Sequence, residues 1–323
     1  MLAIQIAATG GPEVLDVVDL PRPSPGPGQV LVRNEAIGLN FVDTYMRSGL
    51  YPVNLPTVLG SEGAGVIEAV GPGVSTLNPG DRVGYGVGGV GAYAEFHVVP
   101  ADRAARLPDG VSARTAAAAM LKGMTAEFLL RRCYALKSGE VILVWAAAGG
   151  VGLILSQWAK AIGATVIGCV GSPAKVDLAR SHGCDHVILY KDEDVAARVR
   201  QITGGAGVRV SYDGVGKASF DASLKSLGRR GMLVSYGNAS GPAPAVEPLA
   251  LSRGGSLYLT RPTLYDYVTT AQEHDASAAA LFEVIASGAV KIQIGAEFPL
   301  RDARKAHEAI QSGETTGSTL LIP

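Results

Sequence analysis

The stretch that most constrains the fold of this chain is Val141–Gly152, which reads VILVWAAAGGVG. Its first four residues form an apolar, largely β-branched run, which is typical of a strand buried on both faces of a parallel sheet. Ala147, Gly149 and Gly152 then follow the spacing of the dinucleotide fingerprint, with Ala in place of its first Gly. From Gly150 onward the apolar residues keep helical spacing, so the small residues lie where a strand turns into a helix.

This turn predicts a nucleotide-binding site. Small residues let backbone N–H groups approach a pyrophosphate, and the helix N-terminus adds unpaired donors and positive potential. We therefore assign phosphate contacts to Gly149, Gly150, Val151 and Gly152. Glycine also closes ordinary strand–helix turns, and it is the flanking strand and helix that favour the nucleotide interpretation. The uncharged stretch Val141–Ala159 is long enough for a membrane span, but its three glycines and its Ser-Gln pair favour a buried strand and helix.

Length and charge limit the classes of protein that this chain can belong to. Its 323 residues, of which 47% are hydrophobic, suggest two domains with sizeable cores. A formal net charge of −1 gives no electrostatic case for nucleic acid or acidic membranes. The N-terminus lacks a signal-peptide pattern, and the three cysteines show no CxxC spacing. We expect a cytoplasmic protein with reduced thiols.

The order of predicted elements gives the fold class. The first third is β-rich, short-stranded and punctuated by glycine and proline, as in a partly open barrel. Ser112 is placed to cap a helix over Ala113–Met120, and Ser172 to cap another over Pro173–His182. Strands and helices then alternate, which predicts an α/β fold with a doubly wound parallel six-stranded sheet. The predicted strands of that sheet are Val141–Ala146, Thr165–Val170, Val187–Leu189, Val208–Asp213, Gly231–Ser235 and Ser256–Leu259.

Seven stretches of the chain together resemble the zinc-independent quinone oxidoreductases, the zeta-crystallin group of the medium-chain dehydrogenase/reductase superfamily. They are NFVDTYMRSGLYP from Asn40, LGSEGAGVI from Leu59, KGMTA from Lys122, AAAGGVG from Ala146, YDGVG from Tyr212, SYGNASG from Ser235 and the terminal GSTLLIP. The resemblance covers essentially the whole chain.

The resemblance implies a domain organisation. In that family the two ends of the chain form a GroES-like catalytic domain, a nucleotide domain is inserted between them, and the active cleft lies between the two. We therefore divide the chain into residues 1–123 and 264–323 for the catalytic domain, and 124–263 for a Rossmann NADPH-binding domain. The family's usual assembly also implies a homodimer or tetramer, and we expect a homodimer.

The end of the second predicted strand indicates the cofactor. An NAD-preferring protein carries a carboxylate there for the ribose hydroxyls, whereas this chain has Val170 and Gly171. Ser172 and Lys175 follow, and a hydroxyl and an ammonium suit a 2′-phosphate, which favours NADPH. The resemblance adds Tyr190 to this pocket. The alternative is that Ser172 only caps a helix and Lys175 is a solvated surface lysine.

The resemblance also implies contacts on the nicotinamide side of the cofactor. The family places four residues there, which in this sequence are Thr125, Val215, Gly237 and Asn238.

The sequence predicts no metal site. Zinc-dependent members of the superfamily need a Cys and a His where this chain has Asn40 and Ser61. Glu62 remains from that region, but one carboxylate does not make a zinc site.

The predicted acceptor-binding wall is Asn40–Tyr51. Asn40 can bond the cofactor or an acceptor carbonyl, and Tyr45 and Tyr51 can stack on a flat ring and donate O–H. Arg47 can stabilise developing negative charge, and Asp43 is predicted to orient it. The alternative is that the tyrosines only pack and that Arg47 and Asp43 form a structural pair.

These observations predict NADPH-dependent reduction of quinones by hydride transfer without metal. An NADPH-dependent 2-alkenal or enone reductase is the nearest alternative, since both acceptors are conjugated carbonyls. A crystallin-like or AU-rich RNA-binding protein is the alternative of another class, and the near-neutral charge argues against RNA as the main role.

Overall fold

The computed structural model describes all residues from Met1 to Pro323, and they form two compact units. Unit 1 comprises Met1–Met124, Val268–Ala286 and Ile292–Pro323, and unit 2 comprises Thr125–Tyr267 and Ser287–Lys291. The predicted division differs at three places, since it put Met124 in the nucleotide-binding domain and residues 264–267 and 287–291 in the catalytic domain. Residues 287–291 are held to unit 2 by Gln157, whose side-chain amide makes two hydrogen bonds to the backbone of Lys291, at 2.9 and 3.1 Å.

Sixteen strands and ten α-helices make up the two units. In chain order the strands are β1 (Leu2–Ile6), β2 (Asp16–Asp19), β3 (Gln29–Leu39), β4 (Thr57–Val58), β5 (Glu62–Val70), β6 (Arg82–Tyr85), β7 (Phe96–Pro100), β8 (Ala105–Arg106), β9 (Val141–Val144), β10 (Thr165–Val170), β11 (His186–Leu189), β12 (Val208–Asp213), β13 (Leu227–Ser235), β14 (Tyr258–Thr260), β15 (Ile294–Pro299) and β16 (Ser318–Ile322). The helices are α1 (Phe41–Ser48), α2 (Ala113–Ala117), α3 (Met120–Phe128), α4 (Gly150–Ile162), α5 (Val176–Ser181), α6 (Val195–Ile202), α7 (Phe220–Ser226), α8 (Pro248–Arg253), α9 (Ala271–Ala286) and α10 (Ala303–Ser312). Short 3-10 turns cover Pro12–Val14, Ala101–Arg103, Pro173–Lys175, Leu264–Tyr267 and Leu300–Asp302, and a π-helical turn covers Leu129–Cys133.

Unit 1 is built on a strongly β-rich core. Its larger sheet has the order β15-β16-β3-β5-β6-β8, with β7 paired to β3, and a three-stranded sheet has the order β2-β1-β4. The strand β3 pairs with β5, β7 and β16, all antiparallel, and is the centre of the sheet. Ile4, Ile37, Leu39, Tyr85 and Tyr93 are fully buried in the core between these strands. The predicted β-rich, GroES-like domain is confirmed.

Unit 2 contains the predicted doubly wound sheet. Its strand order is β11-β10-β9-β12-β13-β14, and every neighbouring pair is parallel. The apolar β-branched runs explain this arrangement, because strands covered by helices on both faces must bury alternate residues on each side. Leu143, Ile167, Ile188 and Leu233, from four different strands, are all fully buried.

Two predicted helices have different bounds in the structure. The helix predicted over Ala113–Met120 ends at Ala117, and a separate helix, α3, begins at Met120. The helix predicted over Pro173–His182 starts as a 3-10 turn, and the Ser172 hydroxyl makes no capping hydrogen bond. The physical reason is that Pro173 has no N–H and the Lys175 N–H is bonded to the Ser172 carbonyl oxygen at 3.1 Å. By contrast, the Ser112 hydroxyl caps α2 as predicted.

The helices of this protein are too short or too polar to cross a lipid bilayer.

Candidate functional site

The turn from β9 into α4 has the geometry that the predicted phosphate-binding cradle requires. Ala146 has a left-handed backbone with φ of 50°, and the Gly149 N–H donates to its carbonyl oxygen at 2.8 Å. A Cβ atom at Gly152 would lie 2.3 Å from the same oxygen, so only glycine fits there. No side chain caps α4, which leaves the N–H groups of Gly150, Val151 and Gly152 without intrahelical acceptors. These donors suit a pyrophosphate.

The end of β10 brings together part of the predicted 2′-phosphate pocket. A Cβ atom at Gly171 would lie 2.8 Å from the Tyr190 hydroxyl, so the phenol packs directly over this glycine. Ser172 is half-buried and its hydroxyl has no capping role, while Lys175 is half-buried one residue before α5. No carboxylate stands at Val170 or Gly171 that would repel a phosphate.

The loop after β12 is held by a buried carboxylate. Asp213 is fully buried, and its Oδ1 atom accepts hydrogen bonds from the N–H groups of Val215 at 2.9 Å and Gly216 at 3.1 Å. The hydroxyls of Ser219 and Ser223 donate to its Oδ2 atom at 2.7 and 2.6 Å. The carboxylate therefore fixes the backbone at Val215, a predicted nicotinamide contact.

Two further predicted nicotinamide contacts, Gly237 and Asn238, lie against the loop that follows β12. A Cβ atom at Gly237 would lie 2.3 Å from the Gly214 carbonyl oxygen, so this approach requires glycine. The Ser240 N–H and hydroxyl both bond the Val215 carbonyl oxygen at 2.8 Å. With its amide in the orientation that satisfies both ends, Asn238 accepts a hydrogen bond from Arg261 at 3.3 Å. The structure thus brings together three of the four residues predicted on the nicotinamide side, and Thr125 is half-buried on α3.

Unit 1 contains a buried polar cluster around Asn40, at the start of α1. The Asn40 backbone N–H donates to Asp43 Oδ2 at 2.9 Å, and its side-chain amide donates to Glu62 Oε2 at 2.8 Å. The same Glu62 oxygen accepts from the Lys122 ammonium at 2.6 Å, and its Oε1 atom accepts from the Leu121 N–H at 2.7 Å. Glu62 is fully buried and Lys122 is 5% exposed.

No motif spacing in the sequence predicts that Glu62 and Lys122 form a buried ion pair. The available signal is a lone lysine within the apolar residues 116–124, since a charged residue in such a stretch is rarely buried without a partner. No three His, Cys, Asp or Glu side chains lie close enough together to hold a metal ion. Glu62, the carboxylate that remains from the zinc region, is instead bound to an ammonium.

The predicted contact between Asp43 and Arg47 is wrong. The Asp43 Oδ2 atom accepts from the Tyr93 hydroxyl at 2.9 Å, and that hydroxyl lies 3.0 Å from His307 Nε2. Arg47 lies on the other side of the His307 ring, where its guanidinium donates to His307 Nδ1 at 2.9 Å. Asp43 accepts no hydrogen bond from Arg47; it accepts one from the Asn40 N–H instead, so it holds the start of α1.

Arg47 itself is buried in structural contacts. Only 2% of it is exposed, and it also donates to the Gly10 carbonyl oxygen and the Gln311 side chain. Because arginine can only donate, His307 accepts at Nδ1 and carries its hydrogen on Nε2. Burial, together with the nearby guanidinium, lowers the pKa of His307 to about 3 and keeps it neutral. Burial raises the pKa of Asp43 to about 7, against the opposing effect of its hydrogen bonds from Asn40 and Tyr93.

The two predicted tyrosines pack against each other. The rings of Tyr45 and Tyr51 meet edge to face with centroids 5.3 Å apart, and the Tyr51 N–H donates to the Tyr45 carbonyl oxygen. Tyr45 is 8% exposed, whereas Tyr51 is half-buried. Tyr51 is therefore the more accessible of the two rings.

A GroES-like β domain joined to a doubly wound sheet with this glycine-lined turn defines a medium-chain dehydrogenase/reductase. Comparison with known families agrees: residues 26–109 match the alcohol dehydrogenase GroES-like domain, and residues 150–286 match the zinc-binding dehydrogenase family. Within this superfamily, the chain belongs to the zinc-independent quinone oxidoreductases.

Three relatives illustrate the similarity. A quinone oxidoreductase of Pseudomonas aeruginosa is 52% identical over 321 residues, which is 99% of each chain. The solved structure of Escherichia coli quinone oxidoreductase in complex with NADPH is 47% identical, covers 100% of both chains and superposes with a TM-score of 0.98. A 2-haloacrylate reductase of Burkholderia is 42% identical and covers 100% of this chain and 99% of its own.

Proposed function

We propose that this protein is an NADPH-dependent quinone oxidoreductase that transfers a hydride to the quinone without a metal ion. The observation that carries the proposal is the full-length similarity to quinone oxidoreductases, one of them solved with NADPH, at about half of all positions. The glycine-lined turn before α4 supports it, because uncapped N–H groups stand where the cofactor's pyrophosphate would bind.

The residues of unit 2 fit NADPH. The N–H groups of Gly150, Val151 and Gly152 would hold the pyrophosphate. Ser172, Lys175 and Tyr190 would hold the 2′-phosphate by a hydroxyl, an ammonium and a phenol. The uncommitted Ser172 hydroxyl supports this assignment, since a capping serine would have its oxygen occupied.

The nicotinamide side is assigned to Thr125, Val215, Gly237 and Asn238. When bound, NADPH supplies a hydride at its nicotinamide ring. Asp213 accepts hydrogen bonds from four donor groups, one of them the Val215 N–H, and Gly237 packs on the same loop, so the residues around the ring would be ordered before binding. Such preorganisation avoids an ordering cost on binding.

Positioning is the main contribution that we assign to the protein. Holding two reactants in the right geometry supplies about 7–11 kcal/mol, whereas a general acid supplies about 3–5 kcal/mol. A quinone is already electron-poor, so positioning, to which Asn40, Tyr45 and Tyr51 contribute, is the larger part of the catalysis that we assign to the protein. Asp43 and Arg47 act behind this wall: Asp43 holds the Asn40 backbone, and Arg47 ties α1 to α10.

A second candidate activity is the reduction of conjugated carbon–carbon double bonds. It is favoured by the 42% identical 2-haloacrylate reductase, whose named substrate is an α,β-unsaturated acid. Both reactions add a hydride to a conjugated acceptor, so the same cofactor residues serve either one.

We also propose a homodimer in a reducing compartment such as the cytoplasm. The strand β14 is an edge of the unit 2 sheet, and Tyr258 on it is 52% exposed, which leaves an apolar edge for a second copy to cover. Cys133, Cys169 and Cys184 are all free thiols, as a reducing environment maintains them.

An acceptor screen tests the proposed activity. NADPH oxidation would be followed with 1,4-benzoquinone, naphthoquinones, 2-alkenals and 2-chloroacrylate at matched concentrations. We expect the highest kcat/KM with quinones. Turnover of the alkenals or 2-chloroacrylate with none of the quinones would replace the proposal by the second candidate.

A further inference from the structure

The ammonium of Lys122 is buried with fewer partners than it can bond. It lies on α3 with 6% of its side chain exposed, and Glu62 is its one hydrogen-bond acceptor, at 2.6 Å. A lysine ammonium carries three N–H donors, so it can bond further oxygen atoms besides Glu62 Oε2. Buried donors of this kind normally find partners, and a ligand oxygen would supply one.

Glu62 fixes the position of this ammonium. Its own oxygens are occupied by Lys122, Asn40 and the Leu121 N–H, and the carboxylate is fully buried. A single oxygen atom, Oε2, holds the Lys122 ammonium at 2.6 Å and the Asn40 amide at 2.8 Å. The ammonium is therefore next to the residue that we assign to the acceptor-binding wall.

A purely structural ion pair would not require this arrangement. Burying two charges costs several kcal/mol for each ion, and well-packed apolar residues of the same volume often serve as well or better.

We propose that Lys122 is a catalytic residue whose ammonium donates a hydrogen bond to the carbonyl oxygen of the acceptor. The proposal rests on the quinone reductase activity proposed above. A hydride from NADPH adds two electrons and one hydrogen to the quinone, and the negative charge collects on an oxygen. The ammonium stabilises that oxyanion as a charge-assisted donor, and a proton from water then completes the hydroquinone.

The position of Lys122 on α3 agrees with this role. Thr125, which is assigned to the nicotinamide side, follows three residues later on the same helix. Side chains three residues apart leave a helix on the same side.

The test compares Lys122→Met with Lys122→Arg and with the double variant Glu62→Gln/Lys122→Met, in which the glutamine carbonyl oxygen can still accept a hydrogen bond from the Asn40 amide. Removing one fixed oxyanion donor typically costs about 10²–10³-fold in turnover. We expect Lys122→Met to lower kcat with 1,4-benzoquinone by about that factor, and Lys122→Arg to restore part of it. The Kd for NADPH, measured by fluorescence titration, should stay within about twofold. Lys160→Met, which breaks an exposed lysine–carboxylate pair with Asp185, is the matched control and should keep wild-type kcat.

The double variant separates chemistry from folding. It removes both buried charges, so its melting temperature should recover relative to Lys122→Met while its kcat stays low. Recovery of kcat together with the melting temperature would show that the pair is only structural and overturn the proposal. Failure of the wild-type enzyme to reduce any quinone would instead refute the proposed function itself.

A second readout does not depend on turnover. 4-Nitrophenolate resembles the hydroquinone anion, and its ionised form is measured by visible absorbance. Wild-type protein saturated with NADP⁺ should bind this anion at least tenfold more tightly than Lys122→Met does. Equal affinity in the two proteins would contradict an oxyanion contact at Lys122.

Discussion

Arg47 shows at the scale of a single residue how burial decides between chemistry and structure. Its guanidinium bonds Gly10, His307 and Gln311 within unit 1. Arg47→Ala should therefore lower the free energy of unfolding by about 3 kcal/mol, because it leaves buried partners unbonded. Tyr45→Phe keeps the ring packing and should retain most of the activity. Urea unfolding and steady-state kinetics on both variants check this. If the Arg47→Ala protein has wild-type stability but a low kcat, Arg47 takes part in catalysis and the structural assignment is wrong.

His97 makes a prediction about pH. Burial lowers its pKa from 6.5 to about 4, and its Nε2 atom has no hydrogen-bond partner. The unfolded chain takes up a proton below pH 6.5 and the folded chain does not, so this stabilisation is present above pH 6.5 and is lost as the pH falls toward 4. His97→Phe should gain about 2 kcal/mol relative to wild type between pH 7 and pH 5. Urea unfolding at both pH values measures it, and a pH-independent difference would contradict the burial argument.

The contacts of single side chains were the part of the structure that the sequence predicted least completely. The prediction of Asn40 and its neighbours as site residues comes from one short motif. The partners Arg47 and His307 are 260 positions apart, and Glu62 and Lys122 are 60 apart. No spacing rule connects such pairs, because the contact exists only after the strands and helices have packed.

At the scale of secondary-structure elements, the β9–α4 turn was the most predictable feature. A buried strand, small residues and helical spacing follow each other directly, so local pattern and tertiary role agree. The start of α5 was less predictable, since the bonding of the Lys175 N–H depends on local backbone geometry that the sequence pattern does not report. The return of residues 287–291 to unit 2 depends on Gln157, which is distant in sequence.

Gly152 provides the prediction at this scale. A Cβ atom there would meet the Ala146 carbonyl oxygen at 2.3 Å, so α4 would have to shift away from the turn. Gly152→Ala should weaken NADPH and NADH by the same factor, at least tenfold, because both cofactors share the pyrophosphate. Fluorescence titration of both cofactors provides the measurement. Wild-type affinity for both would place the pyrophosphate elsewhere.

At the scale of the whole molecule, the open edge of β14 predicts association. We expect light scattering at micromolar concentration to give twice the mass of one chain. Tyr258→Lys should shift the equilibrium toward monomer, because it puts a charge on an otherwise apolar edge. A monomeric wild-type protein would contradict the proposed dimer, and a dimer unaffected by Tyr258→Lys would move the interface to another surface.

The fold class followed from the sequence because the strand runs, the turns and the helical periodicity all indicate one architecture.

The central claim is that the protein prefers NADPH to NADH, and it depends on the proposed 2′-phosphate pocket. The most direct test is kcat/KM for NADPH and for NADH with 1,4-benzoquinone at fixed salt, in wild type and Lys175→Ala. A charge-assisted contact contributes about 1.5–3 kcal/mol, so Lys175→Ala should lower the NADPH value by roughly ten- to a hundredfold and leave NADH nearly unchanged. Equal use of both cofactors by the wild type, or an equal loss for both in the variant, would contradict the account.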